Sequence, residues 1–395
     1  MTTPLLSRLT LQNFLSFGPE GVTVDLLPLN VLIGPNGSGK SNLLEALSTL
    51  RATPGDLQAA IREGGGIAEY LWKGPRNEIA SHIQAIVRHP QGNDQPNLHY
   101  FLGLAREENR LVIQMESIGS VHDTLPDASH PLFLAHYGSA TIFIMNHEGV
   151  IEEVPIVDLK SNQSILSQRR DPLRFPELTF LGDEFGKISL FREWTFGGRS
   201  SARLPQPTDL PIDFLLPDAS NLGMILHDIS QTSAMRDALI FYLRRFYEPA
   251  RSIATKIYSG TLQLNIEEEG KRLIPATRLS DGTLRYLALL AVLLHPDPPP
   301  VIGIEEPELG LHPDILPTIA ELLKKASERT QLFVTTHSDA LVSALSDTPE
   351  SILVCESMPG GTTIERLEPQ KLKSWLDEYK LGEIWRMGEI GGNRW

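Results

Sequence analysis

The N-terminal part of the chain combines two hydrophobic periods. Apolar and polar positions alternate over residues 5–33, which predicts two or three strands in LLSRLTLQNF, GVTVDLL and LNVLIG. The last of these segments is almost wholly apolar, as is typical of a strand buried in the centre of a sheet. From Lys40 to about Arg51 the apolar residues recur at helical spacing. The chain is therefore predicted to begin with strands that lead into a helix.

Residues 79–154 alternate again and predict an antiparallel meander. Its strands are expected in IASHIQAIVRH, LHYFLGLAR, RLVIQMES and ATIFIMN, which Gly, Asn, Pro and Asp turns separate. We interpret this segment as a β-rich insertion, because no helices alternate with these strands. From about 158 to 260 the pattern becomes helical, with Pro-rich interruptions. No heptad repeat runs through it, which excludes long coiled-coil arms.

After residue 270 strands and helices alternate once more. Strands are predicted in VIGIEE, QLFVTTH and SILVCES, and helices in HPDILPTIAELLKKASER and SDALVSAL. The fold class is therefore α/β, with a core that is split by a β insertion and a helical insertion. Four segments are expected: an N-terminal lobe at 1–160, a helical lobe at 161–278, a C-terminal lobe at 279–380 and a tail at 381–395.

Composition narrows the class of protein. Of the 395 residues, 41% are hydrophobic and 21% charged, which is typical of a globular chain. The formal net charge of −14 argues against a surface broadly adapted to DNA. Cys355 is the only cysteine, which excludes an internal disulfide and a CxxC zinc site. No signal pattern or bilayer-length apolar run is present, so we expect a cytoplasmic protein without a membrane partner.

The stretch GPNGSGKS, residues 34–41, matches the phosphate-binding pattern G-x-x-x-x-G-K-[ST] and lies between an apolar strand and a helix, as this pattern requires. Its glycines let backbone N–H groups close around a phosphate, and the helix N-terminus adds partial positive charge. Lys40 is expected to contact the β- and γ-phosphate oxygens, and Ser41 to bind Mg²⁺. The predicted phosphate-binding residues are Gly34, Pro35, Asn36, Gly37, Ser38, Gly39, Lys40, Ser41 and Asn42.

Two carboxylates end the predicted strand VIGIEE. Glu305 is expected to bind Mg²⁺ through water, and Glu306 to orient the attacking water as general base. The alternative is an acidic helix start. His337 ends the next strand, 31 residues beyond Glu306, where its imidazole can donate to a γ-phosphate oxygen. A purely structural histidine is the alternative.

The stretch LSDGTLRYLALLAVLL, residues 279–294, opens a strongly apolar helix with Ser280 and Gly282. The N–H groups and the dipole of such a helix attract anions. Because the phosphate-binding loop already serves one triphosphate, we predict that this second turn binds the ATP of another copy. Two chains would then face head to tail, with ATP holding the dimer together and hydrolysis releasing it. The alternative is an ordinary Ser/Asp N-cap.

Four stretches, GPNGSGKSN, LSDGT, IEEPELGLHP and TTHS, resemble the Walker A, signature, Walker B with D-loop, and switch-histidine motifs of the ABC ATPase superfamily. The opening LTLQNFLSF is similar to its RecF, SMC and OLD-like branch, and the ending LGEIWRMGEIGGNRW to a group of bacterial predicted ATPases of that branch. The resemblance implies a P-loop ABC ATPase head with a mixed central sheet, an antiparallel β subdomain and a helical signature lobe. It implies ATP and Mg²⁺ as ligands, with four catalytic residues: Lys40, Glu305, Glu306 and His337.

The family also has a Q-loop glutamine that contacts the nucleotide and the metal. Gln168 in SILSQRRDP is the preferred candidate, and Gln163 is the second. Two positions depart from the family pattern. Glu305 stands where aspartate is usual, one methylene longer, and we still expect activity. Asp281 replaces the usual glycine and adds a negative charge near an anion site, which Arg285, one turn on, is expected to offset.

The resemblance also implies a role for the whole protein. OLD-like nucleases carry a TOPRIM domain after the ATPase, and the 58 residues after His337 are too few for one, so an ATPase without its own nuclease is expected. The leading hypothesis is an ATP-dependent homodimer that switches DNA binding or repair, or a separate nuclease or toxin effector in anti-phage defence. The alternative is a slowly or non-hydrolysing ATP-bound scaffold that sequesters such a partner. The β-rich and helical insertions argue against a transporter subunit. A small-molecule kinase is disfavoured because LSDGT and His337 would have no function in it.

Residues 160–205 carry eight Lys/Arg against five Asp/Glu, a local excess of positive charge in an acidic protein. Contact with DNA, weakened by salt, is the favoured interpretation. A solvated helical face that is paired with nearby acids is the alternative. The candidate arginines here and further along the chain are Arg169, Arg170, Arg174, Arg192, Arg199, Arg203, Arg244 and Arg245.

Overall fold

The computed structural model describes residues 4–74, 80–92, 95–122, 125–136, 141–145, 151–155, 159–192 and 194–392, with side chains outside 122–158. The strands are β1 (Leu6–Gln12), β2 (Val22–Asp25), β3 (Leu29–Ile33), β4 (Ala80–Val87), β5 (Leu98–Glu107), β6 (Arg110–His122), β7 (Leu125–His136), β8 (Thr141–Met145), β9 (Ile151–Pro155), β10 (Ser189–Phe191), β11 (Gln206–Pro207), β12 (Ala250–Tyr258), β13 (Thr261–Glu268), β14 (Arg272–Pro275), β15 (Val301–Glu305), β16 (Gln331–Thr335), β17 (Ile352–Met358) and β18 (Gly361–Arg366). The helices are α1 (Lys40–Ala52), α2 (Leu57–Glu63), α3 (Ile67–Tyr70), α4 (Ile165–Gln168), α5 (Pro176–Gly186), α6 (Leu222–Ile229), α7 (Ser233–Phe246), α8 (Asp281–Leu293), α9 (Leu316–Ala326), α10 (Asp339–Ser343), α11 (Pro369–Leu376) and α12 (Leu381–Met387).

The chain divides into two units, which differ from the four segments expected from the sequence. We call the unit made chiefly of Thr3–Ile188 and Glu350–Glu368 the P-loop unit. The unit made chiefly of Ser189–Pro349 and Pro369–Glu389 is called the signature unit. Chain segments that are distant in sequence thus fold together in each unit, and the four segment boundaries stay a prediction.

An antiparallel sheet forms much of the P-loop unit, in the strand order β2-β1-β4-β5-β6-β7-β8-β9. The expected strands of the meander are confirmed as β4, β5, β6 and β8. Strand β7 was not expected, because Pro126 and Pro131 interrupt the hydrophobic alternation of Leu125–His136. Register shifts in the pairing of β6 with β7 accompany these prolines.

A second sheet of the P-loop unit positions the phosphate-binding loop. The fully buried strand β3 pairs with β17 in parallel, and β18 pairs with β17 in antiparallel orientation, so this sheet is mixed, as expected. The loop that follows β3 leads into α1, whose apolar residues pack inward at helical spacing: Leu43, Leu44, Ala46, Leu47 and Leu50. The predicted strand, loop and helix are therefore confirmed.

The signature unit contains a parallel sheet and a small antiparallel sheet. Strand β15 pairs with β10 on one side and β16 on the other, all in parallel. Their carboxyl ends consequently lie at one edge, where the chain continues to Glu306 and to His337. Helix α8 is buried along nearly all its length, in agreement with its apolar sequence.

The expectation of a helical segment at 158–260 was only partly correct. Helices α4, α5, α6 and α7 lie there, but so do β10, β11 and β12. Strand β13 pairs with β11, β12 and β14 to form the antiparallel sheet of the signature unit. The alternation in β12 is weak because most of its residues are only half-buried or exposed, so a pattern of hydrophobicity could not reveal it.

The tail contains one packed helix, α12, in which Trp385 is buried. A Cβ on Gly382 would lie 2.0 Å from the carbonyl oxygen of Asp339, so α12 closely approaches α10. Helix α12 therefore packs against the signature unit, while Trp395 lies outside the described residues. No helix within the described ranges has the length and apolar character that a membrane crossing requires.

Candidate functional site

Three glycines shape the phosphate-binding loop. Gly34, Gly37 and Gly39 have φ values of 146°, 76° and 96°, which side chains rarely adopt. A Cβ on Gly34 would lie 2.2 Å from the carbonyl oxygen of Cys355. One on Gly39 would lie 2.4 Å from the hydroxyl of Thr362. The pattern G-x-x-x-x-G thus reflects both backbone conformation and close approach of the loop to its own unit.

Two hydroxyl residues that the motif does not include support this loop. The Thr362 hydroxyl donates to the carbonyl oxygen of Ser38 at 3.0 Å and lies 2.7 Å from the Ser16 hydroxyl. The Asn42 side-chain amide donates to the Ser16 hydroxyl at 2.7 Å. Ser16 and Thr362 are 346 residues apart, so no local sequence signal could have identified this pair. Together they connect the loop, the start of α1 and β18.

Substitution of the loop glycines by alanine tests this packing. We expect Gly39→Ala to lower the free energy of unfolding by about 1–3 kcal/mol more than Gly37→Ala, because both have positive φ but only Gly39 is crowded. At Gly37 a Cβ would meet no atom within 4 Å, so its variant measures the backbone strain alone. Thermal and denaturant unfolding provide the comparison. Equal losses in the two variants would show that contact with Thr362 does not constrain the loop.

Several features of the loop fit a bound phosphate. Lys40 is 6% exposed, and its ammonium donates to the carbonyl oxygens of Gly34 at 2.9 Å and Pro35 at 3.0 Å. The 13-residue helix α1 starts without a side-chain cap and without an acidic residue in its first turn. Its first N–H groups are therefore suited to an anion. The Ser38 hydroxyl is also buried without a hydrogen-bond partner among the described residues.

Ser41 and Gln168 are the candidates for metal and nucleotide contact in the P-loop unit. Ser41 is half-buried in the first turn of α1. The Gln168 carboxamide instead bonds to the loop before it, accepting from the N–H of Lys160 at 2.7 Å. Its Nε2 donates to the carbonyl oxygens of Lys160 and Gln163 at 3.1 and 2.7 Å. A contact of Gln168 with a ligand stays a prediction.

Two glutamates follow one another at the carboxyl end of β15, as predicted. Glu305 lies 3.3 Å from the Nε of Arg192, an ion pair that the sequence did not indicate. Glu306 has φ of +47°, a conformation that costs a non-glycine residue about 1–3 kcal/mol. Its N–H donates to the carbonyl oxygen of Thr335 at 3.0 Å. The chain thus turns sharply after Glu305, and the two carboxylates have different partners: Arg192 for Glu305 and His337 for Glu306.

The Glu306 carboxylate lies near the predicted switch histidine. Its Oε1 is 3.7 Å from Nε2 of His337, and both side chains are about one-third exposed, at 38% and 35%. Burial lowers the pKa of the Arg285 guanidinium, while the charges of Glu306 and Glu308 raise it. The signature unit therefore brings together a carboxylate, an imidazole and a cation. Glu308, to which the sequence assigned no role, accepts a hydrogen bond from the N–H of His337 at 3.0 Å.

The predicted signature turn is accessible at the start of α8. Ser280 is exposed and Gly282 half-exposed. The Ser280 hydroxyl accepts from the N–H of Thr283 at 3.0 Å, so it is also an N-cap. A Cβ on Gly282 would lie 3.0 Å from the carbonyl oxygen of Gly310, which places the D-loop beside this turn. The cap alternative is therefore present, but it does not block access to the turn.

Arg203, and not Arg285, pairs with Asp281. The Arg203 side chain is 9% exposed and forms an ion pair with the Asp281 carboxylate. It also donates to the carbonyl oxygens of Phe196 at 3.0 Å and Leu279 at 2.6 Å. Arg285 instead donates to the carbonyl oxygen of Trp194 at 2.8 Å. The expected offset of the Asp281 charge therefore exists, but a residue distant in sequence provides it.

Ion pairs occupy part of the proposed DNA-binding set. Besides Arg192 and Arg203, Arg170 pairs with Asp183, and Arg245 lies 2.6 Å from Glu321. These pairs correspond to the alternative of a surface whose cations are matched by acids. Contact of this set with DNA stays a prediction.

The fold is that of an SMC-type ATPase head, and the four motifs resemble those of ABC ATPases. The chain belongs to the family described as "AAA domain, putative AbiEii toxin, Type IV TA system", whose profile matches residues 29–93 and 158–343. These matched segments include the P-loop, the signature turn, both glutamates and His337. A search of curated proteins found no match.

Solved structures of SMC heads share this fold. One is the Smc head domain with an extended coiled coil bound to the C-terminal domain of ScpA, derived from Pyrococcus furiosus, with 14% identity and a TM-score of 0.59. The match covers 95% of this chain and 99% of that one. Another is the SmcHead bound to the C-winged helix domain of ScpA, with 17% identity, a TM-score of 0.57, and 93% and 99% of the two chains covered. At such low identity the likeness shows the fold alone.

Proposed function

We propose that this protein hydrolyses ATP at a site that two copies of the chain share head to tail. The observation that supports this proposal is the exposed turn of Ser280 and Gly282 at the start of α8. One P-loop is sufficient to bind one triphosphate. A second anion-binding turn in the same chain can therefore bind the ATP that the P-loop of the other copy holds. The Arg203–Asp281 pair keeps the net charge beside this turn from becoming negative.

The binding half of the proposed site is the P-loop. Its backbone N–H groups and Lys40 bind the phosphates of ATP, with Gly34–Asn42 as the surrounding loop. Ser41, Glu305 and Gln168 would hold Mg²⁺. When bound, this ion neutralises charge on the phosphate oxygens as a Lewis acid.

Hydrolysis in this proposal depends on Glu306 and His337. Glu306 orients the attacking water and accepts its proton, and the imidazole of His337 donates a hydrogen bond to a γ-phosphate oxygen. Their side chains lie close together, with 3.7 Å between Oε1 of Glu306 and Nε2 of His337. Lys40 adds positive charge where negative charge develops in the transition state.

Mixing two inactive variants tests whether the site is shared. Lys40→Ala disables the P-loop, and Ser280→Arg places a bulky cation in the signature turn. In a head-to-tail heterodimer, both defects fall in one site and the other site is intact. We therefore expect each variant alone to be inactive and the equimolar mixture to recover roughly a quarter of wild-type phosphate release, since half of random dimers have one good site of two.

The outcomes of this mixing experiment are distinct. A mixture as inactive as its components, with the heterodimer detected by differently tagged copies, contradicts the shared site. Normal turnover by Ser280→Arg as a monomer contradicts it as well. A mixture of Lys40→Ala with Lys40→Ala carrying the second tag is the control, because neither of its sites has an intact P-loop.

For the cellular role we propose a switch that acts on DNA or on a separate effector protein. The family description names a toxin and a toxin–antitoxin system, and two of the SMC heads are bound to a ScpA domain. Both support control of a partner by the nucleotide state, in repair or in anti-phage defence. A slowly or non-hydrolysing scaffold that sequesters a toxin or nuclease is the second candidate. The hydrogen bonds of the Gln168 carboxamide to the main chain of Lys160 and Gln163 support this candidate, because they hold the glutamine in contacts other than those with a nucleotide or metal.

A further inference from the structure

We propose that Glu308 is a positioning residue that orients His337 toward Glu306. This inference rests on the proposed function, because it concerns the residues that would hydrolyse ATP. Glu308 lies in the stretch IEEPELGLHP, three residues after β15 ends, and it is not among the catalytic, nucleotide-binding or metal-binding residues expected from the sequence. It touches no substrate in this proposal and transfers no proton. Its effect is transmitted through the main chain at residues 336–337.

One carboxylate oxygen of Glu308 accepts two hydrogen bonds from consecutive residues. The Thr336 hydroxyl donates to Oε1 at 2.6 Å, and the N–H of His337 donates to the same atom at 3.0 Å. A backbone N–H and an adjacent hydroxyl that share one acceptor restrict rotation of the peptide between them. The direction in which the His337 side chain leaves the backbone is thereby determined.

The same contacts extend to the following helix. The N–H of Ser338 donates to the Thr336 hydroxyl at 3.0 Å, and the Ser338 hydroxyl accepts from the N–H of Leu341 at 3.2 Å as the N-cap of α10. The hydrogen bonds thus run without interruption from Glu308 to the first turn of α10. The side chain of His337 lies within this stretch and is about one-third exposed.

The other end of the same D-loop is attached to β16. The N–H of Glu306 donates to the carbonyl oxygen of Thr335 at 3.0 Å and lies 3.3 Å from its hydroxyl. Glu306 and Glu308 therefore hold successive residues at the end of β16. Since both attachments come from one short loop, a displacement of the D-loop moves His337 and Glu306 together.

The chemistry of Glu308 indicates a role other than stability. Its Oε2 is buried and has no hydrogen-bond partner in the part of the chain that the structure describes. Burial raises the pKa of this carboxyl, although the bonds from Thr336 and His337 oppose the shift. A buried acceptor that lacks a partner destabilises the folded state. An alanine or leucine would avoid that penalty, but neither could hold the N–H of His337.

A double-mutant cycle between Glu308 and His337 tests the proposal. We expect Glu308→Ala and His337→Ala each to lower kcat about 10- to 100-fold, because misplacement of a reacting group has effects of this size. ATP affinity should not change, since the P-loop binds the phosphates. The double variant should be no slower than the slower single variant, because Glu308 acts only through His337. Independent, multiplicative losses would overturn the proposal.

Conservative variants separate positioning from a general loss of structure. Glu308→Gln retains an oxygen that can accept both bonds, so it should recover most of the kcat lost in Glu308→Ala. Thr336→Val removes the hydroxyl donor but leaves the N–H of His337 bonded, and it should give an intermediate kcat. It also serves if Glu308→Ala does not fold. Glu378→Gln, an exposed carboxylate in the same unit, is the matched control and should behave as wild type.

Hydrogen exchange gives a readout that does not require hydrolysis. The amides of His337 and Ser338 should exchange faster in Glu308→Ala than in wild type, while the amides of β15 should not change. If the wild type neither binds nor hydrolyses ATP, the proposed function fails, and the exchange result still decides whether Glu308 holds this segment. Unchanged exchange at His337 would overturn the proposal even in an active ATPase.

Discussion

Glu306→Gln should bind ATP normally and release almost no phosphate. Glutamine has the shape of glutamate but cannot accept a proton at neutral pH, so kcat is expected to fall about 10²- to 10⁴-fold. The backbone turn at Glu306 depends on φ of +47° and on its N–H bond to Thr335, which this substitution leaves intact. Phosphate release measures the loss. Because hydrolysis would separate the copies, dimers should accumulate with ATP and Mg²⁺, as measured by light scattering after gel filtration.

The control for Glu306→Gln is again Glu378→Gln, which removes one negative charge from an exposed site of the same unit. It should match wild type in turnover and in dimer content. Unchanged turnover in Glu306→Gln would contradict the assigned base and favour the scaffold hypothesis. If Glu306→Gln loses turnover but does not accumulate dimers with ATP, Glu306 remains the proposed general base. The hypothesis that hydrolysis releases the dimer would then be contradicted.

Lys40→Ala should weaken nucleotide binding strongly. The Lys40 ammonium is held inside the loop by two carbonyl oxygens and is 6% exposed, so it meets phosphate in a largely desolvated setting. Removal of one partner from a buried, hydrogen-bonded charge pair costs about 2–5 kcal/mol, which is roughly 30-fold or more in affinity. Titration with a fluorescent ATP analogue provides the measurement.

The matched control is Lys73→Ala in the same unit, since Lys73 is 63% exposed and pairs with Glu69 on the surface. It should bind the nucleotide as wild type does. A Lys40→Ala variant that folds and keeps wild-type affinity would show that the P-loop does not bind the triphosphate. Melting temperatures of both variants establish that folding is not the cause of any loss.

The sequence predicted the P-loop well because its signals are local. The strand before it, its glycines and the apolar face of α1 all lie within about 25 residues. In each of them the residue types indicate the local backbone conformation directly. The same holds for β15 with its terminal acids and for β16 with His337. In each case a short segment carries both the secondary structure and the chemical groups.

Strands with interrupted or weak patterns were missed for a physical reason. Prolines break the alternation of β7, and β10 has only three residues. Strand β12 exposes residues such as Ile257 and Tyr258, so its two faces are not distinguished by burial. Alternation of apolar and polar residues predicts a strand only where one face of the strand is buried and the other is exposed to solvent. It does not indicate a strand elsewhere.

By itself, the sequence determined which chemical groups this protein has and which short elements present them. It placed the P-loop glycines, the paired acids, the predicted switch histidine and the predicted signature turn at the ends of short elements, because each of these elements depends on neighbours in the chain. The tertiary structure alone decided which distant residues support them: Thr362 and Ser16 beneath the P-loop, Arg203 at Asp281 and Glu308 at His337. Such contacts join residues far apart in sequence. Polar side chains that pair in this way follow no regular spacing along the chain, so the sequence pattern cannot indicate which of them are in contact.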